Sequence, residues 1–466
     1  MQIGVQSQPQ DNGSGLAVLL TLPLSFLGLG AFRAWMWLLP VLSPQAPALE
    51  QFHDLVLCAA LLLLAALARK VVPLGLNRRA QLVCGITAFA GSSIIALNVA
   101  MPFAPAASYV GIAFVALAAA IVILSWCELY ACLDIARIAL CLALAFLAEQ
   151  ALILLLEGLP LPYRLGALFL LPAAALLSLQ RAYTYLPDSM RPRPVPGKLR
   201  IPWKLIALLA AYLFVSGVRA GMAPSPVNPF SGAASTLVAL FLILAIVYFS
   251  NRFDLAFAYR TPIVLLVCTL LLTPALGDDS TNFFAFCLAL STRLFEVVVF
   301  LLLSDICQRH AITAVMLFGI EESTNVFSSL GYALGAILHA TPRIDLSESM
   351  GVVIGIALLI GATLLLFNEK QFETAWGSPL LGPGKIRWDQ EQRETLRTSC
   401  DRIAAAHNLT AREREVLELL GKRYSISRVC EELCIAKGTA KAHTDHIYAK
   451  LGIHTRRELL DLLDQE

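Results

Sequence analysis

Long stretches of apolar residues alternate with short polar loops through most of the chain. Twelve of these stretches lie between residues 16 and 368, and each approaches the roughly 20 residues that a helix needs to cross a bilayer. The pattern predicts spans at about 16–39, 52–69, 80–100, 106–126, 135–157, 161–180, 203–223, 230–250, 260–277, 281–303, 311–340 and 350–368. The apolar stretches then stop, and the last part of the chain follows a different pattern.

The last 60 or so residues predict four short helices with polar outer faces. Thr410 followed three residues later by Glu413 is a capping box, so the first of these helices begins there. The others are predicted at about 425–434, 437–451 and 455–463, and Gly452 supplies a stop signal for the third. Two helices joined by a tight turn, with the later one basic, indicate a helix-turn-helix.

Three motifs in this tail resemble the DNA-binding domain of LuxR-type regulators. They are L-T-x-R-E-R-E-V-L at 409–417, T-A-K-A-H at 439–443 and I-Y-A-K-L-G-I at 447–453. The resemblance implies that the third helix enters the major groove and that the fourth supports dimers on DNA. A LuxR-type domain joined to about twelve spans also resembles a group of membrane-embedded regulators in some anaerobic actinobacteria.

Composition separates the same two parts of the chain. The whole sequence is 58% hydrophobic and 15% charged, which excludes a simple soluble enzyme, a disordered chain and a disulfide-rich secreted module. We predict a polytopic membrane domain at 1–368, a partly helical linker at 369–407 and a helix-turn-helix domain at 408–466. Within the last domain, residues 436–457 contain five basic side chains and one acidic one, so one face is basic.

Charges in the loops predict the orientation in the membrane. If the N-terminus is cytoplasmic, the inner loops contain 14 Lys and Arg residues and the outer loops contain 2. This bias follows the positive-inside rule. We therefore expect a multi-pass protein of the bacterial inner membrane with both termini in the cytoplasm, the compartment that holds DNA.

An internal repeat predicts the fold of the membrane part. The segment 30–34, which contains Arg33, matches the segment 216–220, which contains Arg219, at the start of each set of six helices. The match is either a coincidence or the trace of a six-plus-six repeat, as in major-facilitator transporters. The expected fold class is all-α, a twelve-helix transmembrane bundle followed by a four-helix LuxR-type domain.

The candidate DNA-binding residues lie on and beside the predicted third helix. Lys441, Ala442 and Asp445 share one face and match the positions from which the LuxR family usually reads bases. Asp445 is equally well explained as a solvated charge. The expected phosphate contacts, which position the protein without specifying sequence, are Lys437, Thr439, Lys450 and Arg456.

Ionisable residues inside the predicted spans are the candidates for a ligand site, because such groups are costly in a bilayer and usually mark function. Arg293 and Glu296 also allow a structural reading in which they neutralise each other. The arginines suit an anionic or phenolic small molecule. The candidates are Arg33, Arg219, Arg293, Glu296, Glu321, Glu322 and Asn325.

These features favour a membrane-embedded regulator over an enzyme. The chain shows no P-loop, nucleophile elbow or metal cluster, and we expect no cofactor. The expected partners are promoter DNA, a small-molecule inducer, the lipid bilayer, a second copy on DNA, and RNA polymerase as a further candidate. One alternative is a transporter with a regulatory tail, although the loop at 68–79 lacks the acidic residue of the major-facilitator signature. A membrane scaffold whose helix-turn-helix binds protein is a third reading.

Overall fold

The computed structural model describes most of the predicted elements. The described residues are 23–42, 47–101, 105–186, 191–192, 201–222, 231–249, 264–268, 281–310, 312–340, 389–422 and 424–465. Every regular element among them is helical. The all-α fold class is therefore confirmed for this part of the chain.

Eleven helices of ten or more residues make up most of the membrane domain as far as it is described, in addition to the short α-helix Ala68–Val71 and two 3-10 helices. Their bounds are α1 Gly28–Leu42, α2 Pro47–Ala66, α3 Arg78–Ala100, α4 Pro105–Tyr130, α5 Ile135–Glu157, α6 Leu161–Thr184, α7 Trp203–Met222, α8 Ser231–Phe249, α9 Thr281–His310, α10 Ala314–Ser323 and α11 Asn325–Ala340. They cover ten of the twelve predicted spans. Of the predicted ninth span only 264–268 is described, and the twelfth lies outside the described residues.

Eight helices of the described part are long and apolar enough to cross a membrane, and the shorter Gly232–Ile246 is also apolar. Many of their large apolar side chains face outward. Phe89, Leu154 and Leu170, for example, are all more than 60% exposed. Outward apolar surface on long helices is the arrangement that lipid solvates. The first part of this chain is a membrane domain.

Helix packing repeats between the two halves of this domain. In the first half α1 packs on α5 and α2 packs on α4, and in the second half α7 packs on α11 and α8 packs on α9. Because α9 is the tenth span and α10–α11 form the eleventh, these are equivalent pairs six spans apart. The packing supports the repeat that the arginine segments suggested.

The pair α7 and α11 approaches at backbone contact. A Cβ atom added to Gly217 would lie 2.1 Å from the carbonyl oxygen of Ser328, and one added to Gly335 would lie 2.1 Å from that of Val218. Small residues allow this approach in membranes, where close van der Waals packing holds helices together. The two helices therefore form a tight unit.

The eleventh span is interrupted, where the sequence pattern predicted one helix over 311–340. The amide N–H and the hydroxyl of Thr324 both donate to the carbonyl oxygen of Glu321, at 2.9 and 2.7 Å. A threonine hydroxyl competes in this way with the helical ladder. The single-helix prediction was wrong at this point, and the break follows directly after Glu321 and Glu322.

The soluble part consists of five helices around a separate hydrophobic core. They are α12 Asp389–Ala406, α13 Ala411–Gly421, α14 Ile426–Leu433, α15 Lys437–Leu451 and α16 Arg456–Gln465. Cys400 and Ile403 of α12 are buried in this core with Val416 and Leu459. The helical part of the predicted linker thus packs with the helix-turn-helix.

Candidate functional site

Helix α15 begins after Ala436 and ends at Gly452. Ala436 occupies the N-cap position and makes no side-chain hydrogen bond there. Gly452 ends the helix with φ of 67°, in the left-handed region that glycine adopts without strain. Ala440, Thr444 and Ile447 form the buried side, which docks α15 on the core and turns the opposite side to solvent.

The exposed side of α15 carries most of the predicted DNA-binding residues. Lys437, Thr439, Lys441, Ala442 and Asp445 are all exposed. Lys441 and Asp445 are one helical turn apart, so they share a face. This geometry suits a helix that enters the major groove, and the individual contacts stay predictions.

Lys450 belongs to a different part of the helix surface. Nine residues separate it from Lys441, which is about half a rotation of an α-helix. Its ammonium group donates to the Glu413 carboxylate at 2.7 Å and to the carbonyl oxygen of Asn408 at 3.1 Å. Lys450 therefore fixes α15 to the start of α13, and its predicted phosphate contact stays a prediction.

The Glu413 carboxylate is the centre of a small capping network. Thr410 donates to it through its backbone N–H at 2.8 Å and its hydroxyl at 2.9 Å, which confirms the predicted capping box. The hydrogen bond from Lys450, together with that from the Thr410 amide, lowers the pKa of Glu413 to about 2. The network therefore favours the ionised carboxylate.

Arg456, the remaining predicted phosphate contact, is half-buried at the start of α16. Its guanidinium donates to the carbonyl oxygen of Tyr424 at 2.7 Å. This bond joins α16 to the loop before α14. A guanidinium has five N–H donors, so this bond leaves the predicted phosphate contact untested.

Four charged side chains meet at the middle of the membrane domain. Arg33 of α1 donates to Glu149 of α5 at 2.6 Å and to Glu296 of α9 at 2.5 Å. Arg293 of α9 lies 2.9 Å from Glu296 and 3.8 Å from Glu149. We call these four residues the charged ring. Positive and negative groups alternate around it, so it is neutral as a whole.

The charged ring connects the two halves of the bundle. Arg33 and Glu149 belong to the first six spans, whereas Arg293 and Glu296 belong to the tenth. The ring of Phe146 lies below both guanidinium groups, with its centroid 4.8 Å from Arg33 Cζ and 5.8 Å from Arg293 Cζ. Because each carboxylate forms an ion pair with both arginines, a relative movement of the halves would rearrange the charged ring.

Three of the other four predicted ligand residues, Glu321, Glu322 and Asn325, lie together near the charged ring. Glu321 and Glu322 end α10 and are half-buried. Glu322 is within electrostatic range of Glu296 and Arg33, and Asn325 donates to its carboxylate at 3.2 Å. Arg219 is not one of the four residues of the charged ring; it lies on α7, which packs against α11.

Glu149 lies inside the predicted fifth span but was not among the candidate ligand residues. Its carboxylate is only 6% exposed and contacts both arginines. The signal was present, since an ionisable residue inside a span is a default functional candidate. Its partners lie on α1 and α9, which sequence spacing does not relate to α5.

Glu128 supplies the acidic group that the loop after α2 lacks. Its carboxylate accepts from the Gly75 amide and from the Tyr183 hydroxyl, both at 3.1 Å. A Cβ at Gly75 would lie 2.3 Å from the Tyr183 ring, so the loop approaches too closely for a side chain there. An acid on α4 thus holds this loop from outside it.

Comparison with known families identifies the tail. Residues 407–463 match the model for bacterial regulatory proteins of the luxR family. This part of the chain is a LuxR-type helix-turn-helix domain. A LuxR-type domain binds DNA, and the exposed side of α15 is the candidate surface for DNA recognition.

A curated relative is named as an HTH-type transcriptional regulator in the exeN 3′ region of Aeromonas salmonicida. It is 32% identical over 107 residues, which are 23% of this chain and 55% of the relative. The chain therefore spans about half the length of the curated relative that it matches.

Two solved transporters share features of the chain's helical arrangement. One is the human organic anion transporter MFSD10 (TETRAN), with 14% identity over 77% of this chain and 100% of the other, and a TM-score of 0.49. The second is a bacterial homologue of the iron transporter ferroportin in an outward-facing state, with 16% identity, coverage of 75% and 99%, and a TM-score of 0.47.

Proposed function

We propose that the protein is a membrane-embedded, non-enzymatic transcriptional regulator that senses a small molecule within its transmembrane domain. The LuxR-type domain binds promoter DNA as a dimer through α15 and interacts with RNA polymerase. The membrane domain lies in the bacterial inner membrane with both termini in the cytoplasm, and the distribution of basic loop residues supports this orientation.

The charged ring is the observation that supports sensing. It joins the two halves through Arg33 and Glu149 on one side and Arg293 and Glu296 on the other. A ligand that binds one arrangement of the halves more tightly shifts the population toward it, whereas equal affinity for both has no effect. Helix α12 packs on the LuxR-type domain and gives the shift a route to dimerisation on DNA.

Chromatin immunoprecipitation of the full-length protein tests the DNA-binding half of this proposal. We expect the wild-type protein to occupy discrete promoters and Lys441→Ala to lose that occupancy while still reaching the membrane. Lys422→Ala is a matched control, since Lys422 pairs with Glu418 on α13 at 2.7 Å, away from the exposed side of α15. Equal occupancy by wild type and Lys441→Ala contradicts direct reading by α15.

Expression profiling against a panel of small aromatic and carboxylic compounds tests the sensing half. We expect at least one compound to change transcription of the occupied promoters in the wild type. Arg33→Ala and Arg219→Ala should abolish the response, while the full-length variants that still reach the membrane should occupy the same promoters without the compound. A normal response in both variants counts against a ligand site among these arginines.

A transporter with a regulatory tail is the second candidate, and Glu128 is the observation that favours it. The absence of an acidic residue from the loop after α2 argued against transport, and Glu128 provides an acid that binds this loop. Uptake of a radiolabelled inducer into proteoliposomes decides between the two. Uptake that saturates and is faster than in protein-free liposomes supports transport.

A further inference from the structure

The LuxR-type domain contacts the membrane domain through α14. This helix packs against α9, the tenth span. Its residue Arg428 lies within electrostatic range of Cys132, in the loop that joins α4 to α5. Two separate parts of the membrane domain thus lie beside one short helix of the DNA-binding domain.

Both halves of the membrane domain contribute to the surface that α14 meets. The side chain of Gln308, near the C-terminal end of α9, donates to the carbonyl oxygens of Ala131 and Leu133 at 2.9 and 2.6 Å. The loop belongs to the first six spans and α9 to the last six. We call residues 131–133 together with Gln308 the inner platform, because the charge bias of the loops assigns this end of the bundle to the cytoplasm.

Helix α14 is fixed within the LuxR-type domain. Arg412 of α13 donates to the carbonyl oxygen of Leu433, the last residue of α14, at 2.8 Å. Val429 of α14 is buried in the same core as Val416 and Ile447. A contact that holds α14 therefore also holds α15, whose exposed side has to turn toward DNA.

The Arg428 side of α14 is also needed on DNA. In a helix-turn-helix the first helix crosses the phosphate backbone while the second enters the major groove. Helix α14 is the first helix of this motif and α15 is the second. Arg428 is the only basic residue of α14, so it is the side chain with which this helix would meet a phosphate. A DNA duplex and the inner platform therefore compete for one surface.

We propose that docking of α14 on the inner platform is an autoinhibited state that withholds the LuxR-type domain from DNA. This inference rests on the proposed function and names its regulatory step. Because the inner platform needs Gln308 of one half beside the loop of the other, a ligand that favours a different arrangement of the halves removes the docking surface. The apparent affinity for DNA then rises, since it is reduced by the fraction of protein that is not competent to bind.

Cross-linking of the full-length protein in nanodiscs tests the docking. In Arg428→Cys the new thiol replaces a side chain that lies within electrostatic range of Cys132, so a short bismaleimide should join the two positions within one chain. Peptide mapping by mass spectrometry locates the cross-link, and Cys132→Ser in the same background should remove it. Absence of this cross-link from the unliganded protein overturns the docking.

DNA affinity of the full-length protein tests the inhibition. Cys132→Lys places an ammonium group opposite Arg428 without changing the LuxR-type domain, and like charges across an interface repel. We expect the Kd for a promoter fragment to fall about tenfold below that of the wild type, toward the Kd of residues 389–466. Cys132→Ser is the matched control, because a hydroxyl can keep the bond from this side chain to the Glu128 carbonyl oxygen, and its Kd should equal that of the wild type.

Gln308→Ala is a second variant with the same expected direction, because it releases the loop from α9. Thermal unfolding of each variant verifies that the fold is preserved. A wild-type Kd in both Cys132→Lys and Gln308→Ala overturns the inhibition, and so does a full-length wild-type protein that binds promoter DNA as tightly as residues 389–466.

The same measurements separate this inference from the proposed function. If the full-length protein and residues 389–466 bind promoter DNA equally well, direct DNA binding stands and autoinhibition is wrong. If an inducer raises DNA affinity equally in wild type and in Cys132→Lys, sensing stands and release from the inner platform is wrong. If residues 389–466 bind no promoter DNA, the proposed function fails and the inhibition fails with it, although the cross-link still reports the docking.

Discussion

Ion pairs serve different ends in the two parts of this molecule. In the membrane domain, Arg33 bonds two carboxylates contributed by helices from both halves of the bundle. In the LuxR-type domain, Lys450 bonds one carboxylate, at the edge of a small soluble core. The Arg33 side chain is 15% exposed and that of Lys450 is 36% exposed, so water can replace a lost partner more easily at Lys450. The same chemistry therefore joins the two halves of the helix bundle in the membrane domain, whereas in the LuxR-type domain it fastens one helix end.

Breaking the charged ring should have the largest effect. Arg33→Met leaves Glu149 and Glu296 without their main partner, and removing one member of a buried pair costs about 3–5 kcal/mol. Thermal unfolding in detergent should show a strong loss of stability. Arg33→Met/Glu149→Gln should recover part of it, and a double variant no more stable than the single one contradicts coupling within the ring.

Filling the close contact between α7 and α11 should cause the second-largest loss of stability. In Gly217→Ala the new methyl group has to displace the Ser328 backbone, since its ideal position is 2.1 Å from the Ser328 carbonyl oxygen. Overpacking of this kind costs about 1–3 kcal/mol. Gly166→Ala on α6 is the matched control, because a Cβ there meets nothing within 4 Å. Equal melting temperatures for the two variants refute backbone contact.

A substitution on the exposed side of α15 should weaken DNA binding without changing the stability of the domain. Lys441→Ala removes a donor to base edges, worth about 1–3 kcal/mol of binding. Fluorescence anisotropy with a promoter fragment should show a weaker Kd for residues 389–466, which contain a core of their own. The melting temperature of this fragment should not change. A large fall in the melting temperature would show that Lys441 stabilises the fold.

A substitution of Lys450 should lower stability more than it lowers DNA affinity. Lys450→Met should cost about 1 kcal/mol of stability and affect DNA affinity less than Lys441→Ala. The contribution of ionised Glu413 is complete above its ordinary pKa of 4.5 and is lost as the pH falls toward about 2. Urea unfolding of the fragment between those pH values should therefore show a smaller pH dependence in Lys450→Met. An unchanged dependence contradicts the pairing.

The smallest effect should come from repairing a cap. Ala436 makes no side-chain bond at the start of α15, and a serine there can accept from the first turn. Ala436→Ser should stabilise the fragment by about 0.5–1 kcal/mol, measured by urea unfolding. Ala442→Ser changes the same residue types on the exposed side of α15 and is the control. A loss of stability in Ala436→Ser shows that the N-cap geometry differs.

The sequence predicted the local features of the LuxR-type domain. The Thr410–Glu413 capping box and the Gly452 stop depend on residues within one helical turn, so they could be read directly. The bounds of α15 were predicted as they are found. The eleventh span was less predictable, because its apolar composition hides the break that the Thr324 hydroxyl makes.

The candidate sites were predicted only in part. Arg293 and Glu296 are three residues apart, and the sequence allowed their pairing to be considered. Arg33 and Glu296 are 263 residues apart, and no local pattern relates them. The pairing of Lys450 with Glu413 was likewise not predicted, because 37 residues separate them.

The sequence alone determined the division into a lipid-facing and a soluble part, the helical class and the LuxR-type tail. These follow from hydrophobic periodicity and short motifs, which depend on the order of neighbouring residues. Only the tertiary structure decided which charges neutralise each other. Ion pairing depends on distances of a few ångströms between side chains, and the packing of α1, α5 and α9 sets those distances.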